Sequence, residues 1–232
     1  MILFLLGACG GTPDFLTMNG TVFETSDGTE AIANVTVNVF DVAFEAIDSV
    51  VSDEAGAFSA QVRFGSSVFI DLEADGFVRT GFSGAIGTTD YDVPDGELWM
   101  RSVAEQETVE NAFSGCENLD SDGMIDGEII MALPNDDGSY KAFVETGWAK
   151  VVLEDGTELE PCYLNAEGAY DPDAVYTGEQ GRFLIPGVSG RVQLYVGYDL
   201  GDTEVFSQGM VVYVPEDGLV TFFDAFWMPL PT

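Results

Sequence analysis

SDEAGAF at residues 52–58 and TGEQGRF at residues 177–183 are two copies of one pattern, one in each half of the chain. A hydroxyl residue, a Glu, a Gly and a Phe recur in the same register in both copies. An apolar alternating run follows each copy and leads to a Gly-aromatic pair, at residues 76–77 and 197–198. A pattern that recurs together with its surroundings indicates a duplicated structural unit, so we expect two versions of one fold.

The segments around both copies are short and alternate between apolar and polar residues. Residues 34–40, Asn-Val-Thr-Val-Asn-Val-Phe, alternate strictly, and turn residues such as those at 26–28 separate one run from the next. Alternation with a period of two is typical of a strand with one packed face and one solvated face. About seven short strands per unit, separated by turns, predict an all-β protein of two tandem antiparallel β-sandwiches.

The spacing of these strands also predicts the domain boundaries. We expect a first sandwich at residues 18–103, an acidic linker at 104–126 and a second sandwich, a divergent repeat of the first, at 127–232. Residues 103–113 come closest to a helical pattern and are expected to form a short solvent-facing connector. The second unit is longer before its repeat signature, and Asp171-Pro172-Asp173 in this extra length predicts a longer loop.

The charge of the chain is strongly negative. Asp and Glu number 41 against seven Lys and Arg, which gives a formal net charge of −34. Such a field repels the phosphates of nucleic acids and anionic lipid surfaces, so neither is an expected partner. The acids are spread along the chain, which is typical of a solvated surface suited to saline surroundings. Clustered sites for divalent cations are the alternative.

The first residues resemble the end of a bacterial lipoprotein signal peptide. Residues 1–8 are apolar, too few to span a bilayer, and end in small residues directly before Cys9. The segment 6–9, Leu-Gly-Ala-Cys, resembles a lipobox, in which the Cys thiol is diacylglycerylated. Residues 1–17 are therefore expected to be a partial signal segment and a flexible tether.

The lipobox resemblance implies an exported protein held on a membrane by its N-terminal lipid, at the cell surface or the periplasmic face. Two or more acyl chains would anchor it stably, whereas one is marginal. A signal peptide begins with positive charge, yet the first basic residue is Arg63, so we expect the true start codon to lie upstream. A buried apolar strand with an ordinary Cys at position 9 is the alternative.

Together the repeated residues resemble the carboxypeptidase regulatory-like domain, a small transthyretin-like β-sandwich found in bacterial surface proteins. The resemblance covers residues 18–79 well and 127–198 less well, since Gly178 stands where the pattern has Asp. It implies a scaffold in which glycines permit tight turns or close the motif and phenylalanines enter the core. The motif residues are Gly56, Phe58, Gly76, Gly181, Phe183 and Gly197.

Cysteine usage and the linker supply two further candidate sites. In an oxidising compartment Cys116 and Cys162 form the obvious disulfide pair. Oxygen-bearing residues at every second position, with a Gly at the sixth, resemble a calcium loop of the EF-hand type, although Ile129 stands at the twelfth position. An acidic linker without metal is the alternative. The candidate Ca²⁺ ligands are Asn118, Asp120, Asp122, Asp126 and Glu128.

The sequence argues against an enzyme. It contains no His, so a Ser-His-Asp triad and a zinc centre of the usual His-containing type are excluded. We expect a structural or adhesive surface protein that presents loops to an unknown protein or polysaccharide partner. The alternative is a carbohydrate-binding module with exposed aromatic residues. Its candidates are Trp99, Trp148, Tyr163, Tyr170, Tyr176 and Trp227.

Overall fold

A computed structural model describes residues 14–119, 123–134, 140–143, 146–179, 181–199, 204–206 and 209–227. The protein is all-β, with one helix among these residues, as the alternation predicts. The strands of the first unit are β1 (Phe15–Thr21), β2 (Thr36–Phe40), β3 (Ala46–Val51), β4 (Ala57–Arg63), β5 (Ser67–Glu73), β6 (Thr80–Ala85) and β7 (Tyr91–Asp92).

The second unit follows the helix α1 (Val103–Ala112) and contains more strands than the seven expected. Several are short and fall in the longer segment before its repeat signature. The strands are β8 (Met124–Pro134), β9 (Tyr140–Phe143), β10 (Gly147–Val152), β11 (Glu158–Leu159), β12 (Cys162–Leu164), β13 (Tyr170–Asp171), β14 (Arg182–Pro186), β15 (Gly190–Asp199), β16 (Glu204–Phe206), β17 (Met210–Val214) and β18 (Leu219–Trp227).

Each unit is a sandwich with its own core. In the first, β4-β1-β7 faces β3-β2-β5-β6 across buried residues such as Val37 and Val62. In the second, β13-β12-β14-β8-β18 faces a sheet built on β10 and β15, with Phe183 and Tyr198 in its core. Strand alternation places one face of each strand inward, which confirms the prediction of two tandem β-sandwiches.

The two sandwiches share one sheet, which the sequence did not predict. The strand β18 pairs in parallel with β8 along its length and meets β6 through the pair Leu219↔Thr80. The order β13-β12-β14-β8-β18-β6-β5-β2-β3 therefore runs through both units. The sheets are antiparallel except at β18 and in the short β1–β7 pair. Alternation specifies which face of a strand is buried but not which strand lies beside it.

The connector between the units is a short capped helix. Ser102 caps α1 by accepting a hydrogen bond from the Glu105 N–H, while the Glu105 carboxylate accepts one from the Ser102 N–H. This reciprocal pair satisfies two donors that helix geometry leaves free. Gln106 is the buried residue of α1. At ten residues α1 is too short to span a bilayer, and no helix of the described chain is long and apolar enough to do so.

The two copies of the repeated pattern fold alike to the level of single hydrogen bonds. In the first copy the buried Ser52 hydroxyl accepts a hydrogen bond from the Val35 N–H at 2.9 Å. In the second copy the buried Thr177 hydroxyl accepts one from the Gly147 N–H at 2.9 Å. The hydroxyl residue is shared because each copy uses it to satisfy a backbone donor inside the sandwich.

Positive φ angles also recur at equivalent positions. Asn34 and Thr146, which directly precede the two backbone donors, have φ angles of 59° and 64°. The motif glycines Gly56 and Gly181 have φ angles of 75° and 65°. Glycine adopts this left-handed region without steric cost, which explains why it ends the turn in both copies.

The motif phenylalanines pack on glycines of the first strand of each unit. Phe58 lies opposite Gly20 in the β1–β4 pair, and Phe183 lies opposite Gly127 in the β8–β14 pair. A Cβ on Gly20 would lie 2.8 Å from the Phe58 ring, and one on Gly127 would lie 2.2 Å from the Phe183 ring. The Gly and the Phe of the pattern are therefore one packing unit, and each ring fills the space that a side chain would take.

Gly127→Ala is expected to lower the free energy of unfolding by about 1–3 kcal/mol, because the new methyl group overlaps the fully buried Phe183 ring. Gly20→Ala should act in the same direction with a smaller effect, since its ring contact is looser. Gly84→Ala is the control, because its Cβ would meet nothing closer than Val68 at 3.8 Å. Urea unfolding of the three variants measures the difference, and equal stabilities would contradict this packing.

Candidate functional site: the junction between the sandwiches

A disulfide bond fixes the connector to the second sandwich. Cys116, just after α1, is bonded to Cys162 in β12, with their Cα atoms 6.1 Å apart. The bond lies in a third apolar cluster, in which Phe113 and Leu184 are fully buried. The predicted pair is thus confirmed, and it joins residues that are 46 positions apart in sequence.

A buried carboxylate joins three elements at the junction. Asp126 in β8 is 2% exposed and accepts hydrogen bonds from two arginines. Arg101, before α1, donates from Nη2 to Oδ2 of Asp126 at 2.6 Å, and Arg182 of β14 donates from Nη2 to the same oxygen at 3.0 Å. Each oxygen of Asp126 accepts at least one of these bonds. Burial of a charge this deep requires such partners.

The helix α1 contacts this ion cluster through Gln106. Nη1 of Arg101 donates to the Gln106 side-chain oxygen at 2.7 Å, and the Gln106 side-chain amide nitrogen donates to the Glu110 carboxylate at 2.9 Å. The Arg101 guanidinium also lies 5.8 Å from the centre of the Trp99 ring, within cation–π range. Arg101 thus links the last residues of the first sandwich to α1 and to β8 of the second.

A hollow of about 860 Å³ opens beside this cluster. Trp99, Arg101, Asp126, Glu128 and Arg182 line it. It combines two half-buried aromatic rings, Phe82 and Trp99, with charges of both signs, and the two arginines account for two of only seven cationic side chains in the sequence.

Burial raises the pKa of Glu128, which also lies near the negative charge of Asp126, while Arg182 acts in the opposite direction. A carboxyl group whose pKa is raised by folding binds more protons in the folded state. The free energy of unfolding therefore falls as pH rises from the ordinary glutamate value through the raised one.

Glu128→Gln is expected to raise the unfolding midpoint at pH 7 and to weaken its pH dependence just above the ordinary glutamate pKa, because the variant has no carboxylate to desolvate. Midpoints measured by circular dichroism between pH 4 and 7 test this. Glu154→Gln makes the same change at an exposed position and serves as the control. An equal shift in both variants would assign the effect to net charge.

The candidate Ca²⁺ ligands are divided by the structure. Asp120 and Asp122 lie outside the described residues, and Asn118 has a positive φ of 64° at the edge of the gap. Asp126 is bound to the two arginines, and Glu128 lines the hollow beside it. The described residues contain no cluster of three or more metal-ligating side chains. Calcium binding at 118–128 stays a prediction.

The other sequence-based candidates have varied surroundings. Cys9 and the lipobox lie outside the described residues, as does the side chain of Trp227. Tyr163 is buried, its hydroxyl accepts a hydrogen bond from the Ala149 N–H at 3.1 Å, and burial raises its pKa. Tyr176 donates to Asp199 at 2.7 Å. Trp99, Trp148 and Tyr170 are half-buried.

The ion cluster was missed at the level of sequence. Asp126 was interpreted as a Ca²⁺ ligand, and Arg101 and Arg182 were not singled out. The one available signal was the scarcity of cations. With seven cationic side chains and 41 acidic ones, each arginine is expected to pair with a carboxylate. That signal does not indicate which carboxylate is buried, because burial depends on the packing of both units.

Comparison with known proteins does not assign this chain to a family. No protein-family model and no curated protein matches it. The Bacillus anthracis TIE protein is 12% identical with a TM-score of 0.31, over 91% of this chain and 34% of that one, so this chain spans about a third of its length.

Two pilins give similar values. The shaft pilin SpaA of Lactobacillus rhamnosus GG is 9% identical with a TM-score of 0.28, over 94% of this chain and 99% of that chain. The minor pilin of Streptococcus agalactiae is 11% identical with a TM-score of 0.29, over 94% and 98% of the two chains. Because these TM-scores are low, the fold assignment rests on the strands and sheets described above.

Proposed function

We propose that this protein is an exported, lipid-anchored, non-enzymatic surface protein whose two sandwiches form one stiff structural or adhesive module. The observation that supports this most is the junction, where a buried ion cluster and a shared sheet join the two units and a disulfide fixes the connector to the second one. A disulfide of this kind persists in oxidising compartments, which is consistent with export. Independent domains on a flexible linker need none of these contacts.

Cooperative unfolding tests the proposed stiffness. A single module should unfold in one transition, with the calorimetric enthalpy equal to the van't Hoff enthalpy. Differential scanning calorimetry of the oxidised protein measures both. Two separate transitions in the oxidised wild type would show two independent domains and would contradict the proposed role as one stiff unit.

Lipid anchoring at Cys9 is tested by metabolic labelling with an alkyne fatty acid in a bacterial host, with a basic leader placed before residue 1. The wild type should carry the label and sediment with membranes, and Cys9→Ser should do neither. The double variant Cys116→Ser/Cys162→Ser is the matched control, since it removes two thiols and leaves position 9 intact. Label on Cys9→Ser would place the acyl chain elsewhere.

Calcium enters the proposal as an additional stiffener of residues 118–128. A cation that binds only the folded state raises the unfolding midpoint by mass action. Unfolding midpoints are measured with Ca²⁺, with Mg²⁺ and with a chelator at one high ionic strength. Ca²⁺ alone should raise the midpoint above its value with the chelator, and Asp120→Asn/Asp122→Asn should remove this rise. No shift in the wild type would leave residues 118–122 as a solvated acidic loop.

Carbohydrate binding is the second candidate function, and the hollow beside Trp99 is the observation that favours it. Two aromatic rings, Phe82 and Trp99, lie next to polar and charged groups there, which is a composition that small-molecule sites share. Glycan-array binding by the wild type and its loss in Trp99→Ala would support this function. Equal binding by both proteins would move any sugar site away from this hollow.

A further inference from the structure

The shared sheet splits where the two sandwiches meet. The strand β18 touches β6 at Leu219↔Thr80 and then continues along β8, so residues 81–85 of β6 have no strand partner on that side among the described residues. The Leu219 N–H donates to the Arg79 carbonyl at 2.7 Å, close to the point where the two strands separate. One side of β6 is therefore an unpaired strand edge among the described residues, although β6 lies in the middle of the shared sheet.

The β5–β6 hydrogen bonds show which backbone N–H and C=O groups of β6 point away from β5. The Ile86 N–H donates to the Ser66 carbonyl at 2.8 Å across the β5–β6 pair. In an antiparallel ladder the N–H and C=O groups of alternate residues point to opposite sides. Residues 82 and 84 therefore point to β5, and the backbone groups of Ser83 and Ala85 point into the split.

An apolar groove of about 530 Å³ lies along this edge. It is lined by β6, by Ser67 and Phe69 of β5, by Val211 and Val212 of β17 and by Val220 of β18. It narrows at Gly81, where an added Cβ would lie 2.7 Å from the Tyr213 carbonyl oxygen, and it is open at Gly84. The groove thus adjoins both a strand edge and a strip of aliphatic side chains.

The residues along this edge lack the usual protection. Exposed edge strands are commonly blocked by Lys, Pro or a bulge, because a bare edge pairs with other chains. The edge residues here are Ser83, Gly84 and Ala85, all small and exposed, and their ladder with β5 is regular. Nothing in the side chains of this edge prevents a further strand from adding to it.

One cation lies in the groove. Arg191 of β15 is exposed, lines the groove and forms no ion pair with any described residue. This is unusual in a chain with 41 acidic residues. A ligand that fits must therefore be extended, apolar on the face toward β17 and negatively charged where it meets Arg191.

We propose that this groove binds an extended, mostly apolar peptide segment of a partner protein, which carries one carboxylate and adds as a strand to β6. Its backbone pairs with Ser83 and Ala85, its alternate apolar side chains fill the groove, and one carboxylate pairs with Arg191. This inference rests on the proposed function as a partner-binding surface module and deepens it by naming the chemistry of the partner. It depends on neither the lipid anchor nor the stiffness of the junction.

Selection of random seven-residue peptides on the purified full chain tests the proposal. Selected peptides should alternate apolar and polar residues and contain an Asp or Glu. Ser83→Pro should weaken their binding at least about tenfold, because proline removes an outward N–H without breaking a β5–β6 hydrogen bond. Ser83→Ala keeps that N–H and should bind as the wild type does.

A charge exchange between Arg191 and the peptide tests the same groove without a proline substitution in a strand. Arg191→Glu alters an exposed side chain and should weaken acidic peptides at least about tenfold, while binding should return with peptides whose acid is replaced by Lys. Peptides that bind all variants equally would overturn the proposal, as would failure to select any peptide. Self-association that Ser83→Pro abolishes would also overturn it, because the occupant would then be a second copy of the chain.

Discussion

Asp126→Asn is expected to lower the free energy of unfolding by about 3–5 kcal/mol. Arg101 is 8% exposed and would keep its charge at the junction without a counter-ion, and loss of one partner of a buried ion pair costs roughly this amount. Arg182, which is 30% exposed in its side chain, can turn to solvent and contributes less to the loss. Urea unfolding monitored by circular dichroism measures the change.

The controls for Asp126→Asn separate charge burial from other effects. Lys150→Ala breaks the exposed Lys150–Glu158 pair at 3.2 Å and should cost less than about 1 kcal/mol. Arg101→Met/Asp126→Leu removes both charges and should recover much of the stability, since apolar replacement of a buried pair is often neutral. The loss in Asp126→Asn should persist with a chelator. A chelator-dependent loss would instead assign Asp126 to a metal.

Removal of the disulfide should have a similar effect at the same junction. Cys116→Ser/Cys162→Ser is expected to lower the free energy of unfolding by roughly 4 kcal/mol, because the bond closes a loop of 46 positions in the unfolded chain. The polar hydroxyl of a serine also replaces sulfur in an apolar cluster around Phe113. Guanidinium unfolding under non-reducing conditions measures the loss.

Reduction provides the internal control for the disulfide variant. A thiol reductant should destabilise the wild type and leave the double serine variant unchanged, since that variant has no bond to lose. Cys9→Ser should match the wild type in both conditions, because Cys9 takes no part in the bond. A loss below about 1 kcal/mol would show that the unfolded chain is already held compact in this region.

The repeated pattern could be predicted and interpreted from sequence because its physics is local. A turn needs a residue that accepts positive φ, and Gly56 and Gly181 supply it. A strand with one buried face needs an apolar residue after the turn, and Phe58 and Phe183 supply it. Such requirements repeat wherever the unit repeats, so they are visible without a structure.

The site was less predictable because its parts are distant in sequence. Asp126 resembles a calcium ligand within its own segment, yet Arg101 and Arg182 come from opposite sides of it and bind it only after both units have folded. The groove along β6 likewise exists because β18 pairs with β8, so that residues 81–85 have no strand partner on that side in the described part of the chain. Neither the ion cluster nor the groove produces a periodic pattern or a motif in the sequence.

By itself, the sequence determined the all-β class, the duplication, the disulfide pair and the acidic charge of this protein, because alternation, turn chemistry, cysteine count and composition are properties of short segments or of sums. The tertiary structure alone decided that the two sandwiches share a sheet, that Asp126 is buried between two arginines and that one edge of β6 is unpaired among the described residues. Strand order and charge pairing between units are settled by packing over the whole chain, where many distant partners compete for each position.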